Sequence, residues 1–142
     1  MRDLSAADYR AIADFRYQIR KFLHFSEQAA RAEGLEPQQH QMLLAIKALE
    51  DDAEPTIGRL ADHLFIRHHS AVGLIDRLEE RHFVRRERAL NGDRRQVTVR
   101  LTREGEEKLR RLTSVHRAEL LMSDPGLVKS LKELLEAKHA HN

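Results

Sequence analysis

The stretch that most constrains the fold covers residues 56–100, where two short helical patterns are followed by a strand pattern. Apolar residues in its first part recur at the i, i+3, i+4, i+7 spacing of a half-buried helix: Ile57, Leu60, Ala61 and Leu64. After Phe65 and Ile66 a second helical pattern begins, with four residues predicted to face inward: Ala71, Leu74, Ile75 and Leu78. Two short amphipathic helices joined by about three or four residues form a helix-turn-helix.

A strand pattern follows these helices. Val97, Val99 and Leu101 alternate with Gln96, Thr98 and Arg100, which predicts a strand with one buried face. Residues 83–88 supply a partner strand, and Asn91-Gly92 favours a tight turn because both residues tolerate a positive φ. The pattern therefore predicts a winged helix, whose second helix enters a DNA major groove while the hairpin, or wing, reaches the neighbouring minor groove.

Several motifs in this chain resemble those of the MarR-type (multiple antibiotic resistance) transcription regulators. They are LEPQQHQMLLAI at residues 35–46, LIDRLEERHFVRRE at residues 74–87, Asp93-x-Arg95, and LTREGEEKL at residues 101–109. Together they cover most of the chain, and in combination they are far more specific than a helix-turn-helix pattern alone. The resemblance implies that Arg95 enters the minor groove and that Asp93 steadies it.

Two residues depart from the family pattern. Gly73 stands in the predicted recognition helix where the family often has a polar or basic residue. His82 replaces a common helix-ending glycine, so we expect it to adopt a left-handed backbone conformation.

The candidate DNA contacts fall into two groups. Residues at the start and on the exposed side of the recognition helix are expected to contact the groove and the phosphates; they are Arg67, His68, His69, Ser70, Gly73 and Arg77. The wing residues expected to contact DNA are Asp93, Arg94 and Arg95. The alternative for His68 and His69 is simple exposure to solvent.

The distribution of charge supports these candidates. Residues 1–66 hold 8 basic and 11 acidic side chains, whereas residues 67–111 hold 13 and 8, a local net charge of +5. The positive excess of the chain thus falls on the recognition helix, the wing and the segment that follows, as binding to phosphates requires. The alternative is that Arg85, Arg86 and Arg88 only solvate an exposed strand.

The two ends of the chain are predicted to be helical and apolar on one side. Residues 5–32 form a long amphipathic pattern, and two more helical patterns follow Thr102. We expect one MarR-like domain over residues 1–142, with a winged helix-turn-helix at 37–101 and dimerisation helices at 1–34 and 103–142. The fold class is therefore mostly α with a small β-hairpin wing. A homodimer buries the terminal helices, and the resemblance implies the same; the alternative is a monomer that folds them over itself.

Composition and motifs exclude several classes of function. The chain has no cysteine, which rules out disulfides and thiolate metal sites. It has neither an apolar run long enough for a membrane span nor a leader pattern, so we expect a cytoplasmic protein that does not bind membranes. The chain also lacks three kinds of motif: the Gly-x-Ser-x-Gly nucleophile elbow of hydrolases, the His-Glu-x-x-His motif of zinc proteases, and a phosphate-binding glycine loop. We therefore expect neither an enzyme nor a bound cofactor.

Nine histidines raise the alternative of a metal-sensing regulator. His24 and Glu27 share a helix face, and His40 and His116 are candidates to approach them, a set of nitrogen and oxygen ligands that zinc accepts. None of these positions forms a tight ligand motif, so no metal site is assigned. A second alternative is a winged-helix protein-interaction module that has lost DNA binding, which the basic wing disfavours.

The resemblance implies a ligand-responsive repressor that acts as a homodimer on an inverted repeat in double-stranded DNA. It also implies a small-molecule pocket between the winged region and the dimer helices, used in the family for aromatic or anionic effectors. The sequence identifies neither the effector nor the pocket residues.

Overall fold

The computed structural model describes residues 3–51, 54–88, 96–122 and 126–140, with backbone alone for the last four of these. Their elements follow the predicted order, which confirms the mostly α fold with a two-stranded hairpin: α1 (Ala6–Ala32), α2 (Pro37–Leu49), α3 (Ile57–Leu64), α4 (His68–Glu80), β1 (Val84–Arg88), β2 (Val97–Leu101), α5 (Arg103–Met122) and α6 (Gly126–Ala140). Within the described residues, no helix combines the length and the apolar character that a membrane span needs.

The chain divides into two compact units. Residues 30–114 form the winged-helix unit, and residues 1–29 with 115–142 form the terminal-helix unit. Helices α1 and α5 each contribute residues to both.

The winged-helix unit has its core between α2, α3, α4 and the hairpin. All four residues that the helical pattern of α4 places inward are buried, and Met42, Leu43 and Ile46 of α2 are fully buried. Leu49 at the end of α2 is half-buried. Removing a Leu or Ile side chain of this size from water contributes about 1.5–3 kcal/mol, so this apolar face stabilises the unit.

The hairpin is antiparallel and pairs Val84 with Leu101 and Arg88 with Val97. Its tip, residues 89–95, lies outside the described residues and includes the predicted Asn91-Gly92 turn. Val99 and Leu101 are buried as expected, but the exposed position expected for Thr98 was wrong, because Thr98 is 2% exposed.

A third segment of the chain pairs with β2. Thr98 forms an isolated antiparallel bridge with Thr56, and the backbone N–H of Val99 donates to the carbonyl oxygen of Pro55 at 3.0 Å. Pro55 is itself fully buried.

Helices α1, α3 and α4 end in the same way. A residue with positive φ follows each helix, and the next residue donates its backbone N–H to the carbonyl oxygen five positions earlier at 2.9–3.0 Å. The residues with positive φ are Gly34 (78°), Phe65 (55°) and His82 (63°). The left-handed conformation expected for His82 is therefore confirmed. Phe65 was not expected to adopt one.

Side chains also cap the helix starts. Ser5 and Asp8 form a reciprocal capping box, since the Asp8 carboxylate accepts from the Ser5 backbone N–H at 2.8 Å and Ser5 Oγ accepts from the Asp8 N–H at 3.2 Å. Thr102 Oγ1 accepts from the Gly105 N–H at 3.1 Å at the start of α5. Pro37 occupies the first turn of α2.

The terminal-helix unit leaves many of its apolar side chains exposed. Phe15, Ile19 and Phe22 of α1 are half-buried, whereas Ile12 and Leu23 of the same predicted stripe are exposed. The exposed apolar residues of the other two helices are Val115, Leu120, Leu121, Met122, Val128, Leu131 and Leu135.

Candidate nucleic-acid interface

Helix α4 presents its first turn to solvent. Arg67 takes the N-cap position in extended conformation (φ −71°, ψ 152°) and its side chain makes no capping hydrogen bond. His68, His69 and Ser70 follow and are exposed, because the inward-facing residues of this helix begin at Ala71. The first backbone N–H groups of a helix lack intrahelical partners and carry partial positive charge, so this end of α4 favours anions.

The remaining predicted residues of α4 lie further along the helix. Arg77 is exposed and Gly73 is half-buried. A Cβ on Gly73 would meet only the Arg77 guanidinium at 3.5 Å, an ordinary contact, so packing within the described residues does not require glycine there. The first wing strand lies against the other end of α4, where Glu79 bonds Arg86.

Several arginines of this region already form ion pairs with carboxylates of the protein. Arg85 pairs with Glu87 at 2.8 Å, and Arg110 pairs with Glu107 at 2.6 Å. Arg86 bonds Asp76 and Glu79 of α4. The positive excess counted along residues 67–111 is therefore partly neutralised within the fold.

Arg67 and Arg77 differ from these arginines. Within the part of the chain that the structure describes, neither forms an ion pair. Because both are exposed on the helix predicted to read DNA, they are the cations of α4 available to a phosphate.

Arg86 holds α4 to the wing. Its backbone N–H donates to Glu79 Oε2 at 3.2 Å, its Nη1 donates to Glu79 Oε1 at 2.6 Å, and its Nη2 donates to Asp76. Burial is the largest single influence on the pKa of Arg86 and lowers it, but the bonds and charges of Asp76 and Glu79 outweigh it and raise the pKa above its ordinary value. Arg86 is thus a structural cation, which the sequence pattern did not reveal.

The predicted wing contacts Asp93, Arg94 and Arg95 lie outside the described residues. The strands that carry them, β1 and β2, are described up to Arg88 and from Val97. The wing contacts therefore remain predictions.

The four candidate metal ligands occupy different surroundings. His24 is exposed, Glu27 is half-buried and His40 is buried. His116 Nε2 shares a 2.8 Å hydrogen bond with Ser26 Oγ, and the His116 ring makes edge contacts with the rings of Phe22 and Phe25. Among the described residues, no group of three or more His, Asp or Glu side chains is arranged to hold a metal ion.

Two surface clefts lie in the winged-helix unit. One, of about 280 Å³, is lined by Glu36, Pro37, Gln38, Gln39, Leu74 and Arg77. The other, of about 410 Å³, is lined by Phe83, Arg103, Glu104, Glu107, Lys108 and Arg111. Hydrophobic and aromatic residue types predominate around effector pockets, whereas most residues around these two clefts carry a polar or charged group. We assign an effector to neither.

Solved structures share this fold. AbsC, a MarR family transcriptional regulator from Streptomyces coelicolor, is 23% identical with a TM-score of 0.73, over 99% of this chain and 99% of that chain. MepR from S. aureus, solved as a DNA complex, is 16% identical with a TM-score of 0.64, over 89% and 92%. CouR from Rhodococcus jostii RHA1, solved with p-coumaroyl-CoA, is 21% identical with a TM-score of 0.65, over 86% and 86%.

Sequence comparison gives a more local result. No curated protein sequence matches the chain. A family model does match, over residues 33–96, and it describes the MarR family. These residues run from the end of α1 to the start of β2, and so include α4 and the first wing strand. Over this region the chain is similar to the MarR family, and its fold is that of AbsC, a MarR family transcriptional regulator.

Proposed function

We propose that this protein is a homodimeric, ligand-responsive repressor that binds an inverted repeat in double-stranded DNA through α4 and the wing. The observation that carries the proposal is the first turn of α4. There Arg67, His68, His69 and Ser70 are exposed, directly before the buried Ala71. In a helix-turn-helix, this end of the second helix contacts base edges.

The electrostatics of α4 support a nucleic-acid partner. Arg67 and Arg77 have no ion-pair partner among the described residues, so their charges are available to neutralise phosphates. Each phosphate contact releases condensed counterions, and affinity should therefore fall steeply with salt. The DNA complex of MepR, which has the same fold, also supports this choice.

The apolar surface of the terminal-helix unit supports a homodimer. Leu121 is 73% exposed and Met122 is 85% exposed, and Leu131 and Leu135 of α6 are also exposed. Exposed apolar side chains of this kind favour an interaction site, and we infer that a second copy of the chain buries them with two-fold symmetry. A two-fold dimer carries two copies of α4, one for each half of an inverted repeat.

Ligand control and repression rest on the family and on one relative with a bound small molecule, the p-coumaroyl-CoA complex of CouR. No effector site is assigned in this chain. A screen of aromatic and anionic compounds for release of bound DNA tests ligand control, and a reporter gene behind the selected site tests the sign of regulation.

Selection of bound duplexes from random DNA, followed by footprinting, tests the proposal. We expect an inverted repeat whose half-site centres lie about 34 Å apart, one helical turn. A footprint over a single asymmetric half-site contradicts the dimeric arrangement. Failure to retain any duplex at low salt contradicts DNA binding and favours a protein-interaction module instead.

A further inference from the structure

Phe65 combines an exposed side chain with an unfavourable, left-handed backbone conformation. It follows α3 with φ 55° and ψ 42°, and its side chain is 96% exposed. The turn is held by the backbone alone, since the Phe65 N–H donates to Asp62 O at 3.2 Å and the Ile66 N–H donates to Ala61 O at 3.0 Å. Glycine adopts this conformation without steric cost, and Gly34 does so after α1. The turn therefore gains nothing from the phenyl ring.

The position of Phe65 points to DNA. It lies in the turn of the helix-turn-helix, two residues before Arg67. In this motif the first helix crosses the DNA backbone and the start of the second enters the major groove. The turn between the two helices therefore lies where the protein passes from the DNA backbone to the major groove.

The surroundings of Phe65 argue against a protein partner. Within the described part of the winged-helix unit, the other large apolar residue that is clearly exposed is Leu44, at 40% on α2. Protein interfaces need a contiguous apolar core, whereas Phe65 is followed by the exposed polar residues Arg67, His68 and His69. A lone ring beside cationic and polar side chains suits DNA, whose major groove offers the methyl group of thymine as an apolar contact.

We propose that Phe65 is a specificity-determining residue that contacts the 5-methyl group of a thymine in each half-site. The inference rests on the proposed function and extends it, because it assigns base preference to the turn as well as to α4. The ring contributes apolar contact and no charge.

Substitution by glycine separates this role from a role in folding. Phe65→Gly removes the ring and relieves the backbone, so the thermal midpoint should stay equal or rise. The affinity for the selected duplex should fall about tenfold, the size of one lost base contact. The salt dependence of binding should not change, because no cation is lost. Wild-type affinity of Phe65→Gly for that duplex overturns the inference and leaves the proposed function standing.

His82→Gly is the matched control. His82 has the same left-handed backbone but follows the opposite end of α4. This variant should also keep or raise the thermal midpoint, and it should bind DNA like the wild type. Equal loss of affinity in both variants means that glycine loosens the unit generally, and it overturns the assignment to Phe65.

Uracil replacement identifies the DNA group, since uracil lacks only the methyl of thymine. Each thymine of the selected site is replaced in turn. We expect one position per half-site at which uracil weakens the wild type but leaves Phe65→Gly unaffected. Loss of affinity in Phe65→Gly without such a position overturns the thymine assignment. If the wild type selects no duplex at all, the proposed function fails and the inference fails with it.

Discussion

Arg86 of β1 and Glu79 of α4 are joined by two hydrogen bonds, from the Arg86 backbone N–H at 3.2 Å and from Nη1 at 2.6 Å. Asp76 accepts a third bond from the same arginine. The carboxylates belong to the helix proposed to read DNA, and the cation belongs to the wing. These bonds hold β1 against the C-terminal part of α4.

Arg86→Ala should destabilise the winged-helix unit. Asp76 would lose its bond to the guanidinium and Glu79 would keep only the bond from the Arg86 backbone N–H, at a cost of about 1–2 kcal/mol. The free energy of unfolding, measured by urea titration, checks this. Arg85→Ala is the control, because Arg85 forms an exposed pair with Glu87, and such pairs contribute less than about 1 kcal/mol. Equal effects of the two substitutions would contradict a special role for Arg86.

His82→Gly should stabilise the protein. His82 has φ 63°, where a Cβ is unfavourable and glycine is not. We expect a gain of about 0.5–1 kcal/mol, less than the full left-handed penalty because glycine also loses more chain entropy on folding. His82→Ala keeps the Cβ and should give no gain. A gain from alanine as large as that from glycine would show that the imidazole, and not the backbone, carries the cost.

Local sequence patterns predicted the elements well. The spacing of Ala71, Leu74, Ile75 and Leu78 identified the buried face of α4, because helical periodicity and burial have a common cause. His82 could be predicted in a left-handed conformation because it stands where the family has a helix-ending glycine. Phe65 occupies the same position after α3, but phenylalanine is disfavoured there and gave no such signal.

Tertiary pairing explains what the sequence patterns missed. Thr98 was expected on an exposed face, yet it is buried, and Pro55 and Thr56 pair with β2 from a distant part of the chain. The charge count treated Arg86 as one of several wing cations, although Asp76 and Glu79 neutralise it. Neither contact can be predicted from the spacing of residues within one helix or strand.

Substitution of two helical glycines by alanine should change the stability of the protein in opposite directions. A Cβ on Gly105 of α5 would overlap the backbone carbonyl of Phe83, which is not a flexible group, so Gly105→Ala should cost about 1–3 kcal/mol. A Cβ on Gly73 makes only an ordinary contact. Gly73→Ala should therefore stabilise α4 by about 0.5–1 kcal/mol, through helix propensity.

Thermal or urea unfolding of both variants measures the difference between them. Stabilisation by Gly105→Ala would show that α5 moves away from Phe83 without cost. Gly73→Ala also tests whether α4 contacts DNA. If α4 contacts DNA closely at this glycine, Gly73→Ala should weaken binding to the selected site even though it stabilises the fold.

Charges on the outer face of α6 should prevent dimer formation. Leu131 and Leu135 are exposed one turn apart on α6. Replacing both with glutamate places charges in the proposed apolar interface, where they lack partners. Sedimentation should then give the chain mass of 16.5 kDa, instead of about twice that value for the wild type. Glu133→Lys, an exposed change on the same helix, is the control and should remain dimeric. A dimeric double variant would exclude this face of α6 from the interface.

Base reading by α4 and groove binding by the wing should differ in their dependence on salt. His69 lies in the exposed first turn of α4, so His69→Ala should cost roughly 1–3 kcal/mol on the selected site and relax the preference at one base position. His63→Ala, an exposed histidine of α3, is the control for loss of an imidazole and should keep the base preference.

Arg95→Ala should act on all DNA alike, because an arginine in the minor groove responds to groove width and negative potential and carries little base identity. Binding to specific and scrambled duplexes should weaken together, and the slope of log affinity against log salt should fall by about one unit, as for the loss of one cationic contact. His69→Ala should change that slope less than Arg95→Ala does. Titrations of both variants on both duplexes, at several salt concentrations, distinguish the two modes. Full-strength binding by Arg95→Ala would mean that the wing does not engage DNA, and the assignment of Asp93 and Arg95 by resemblance would then fail.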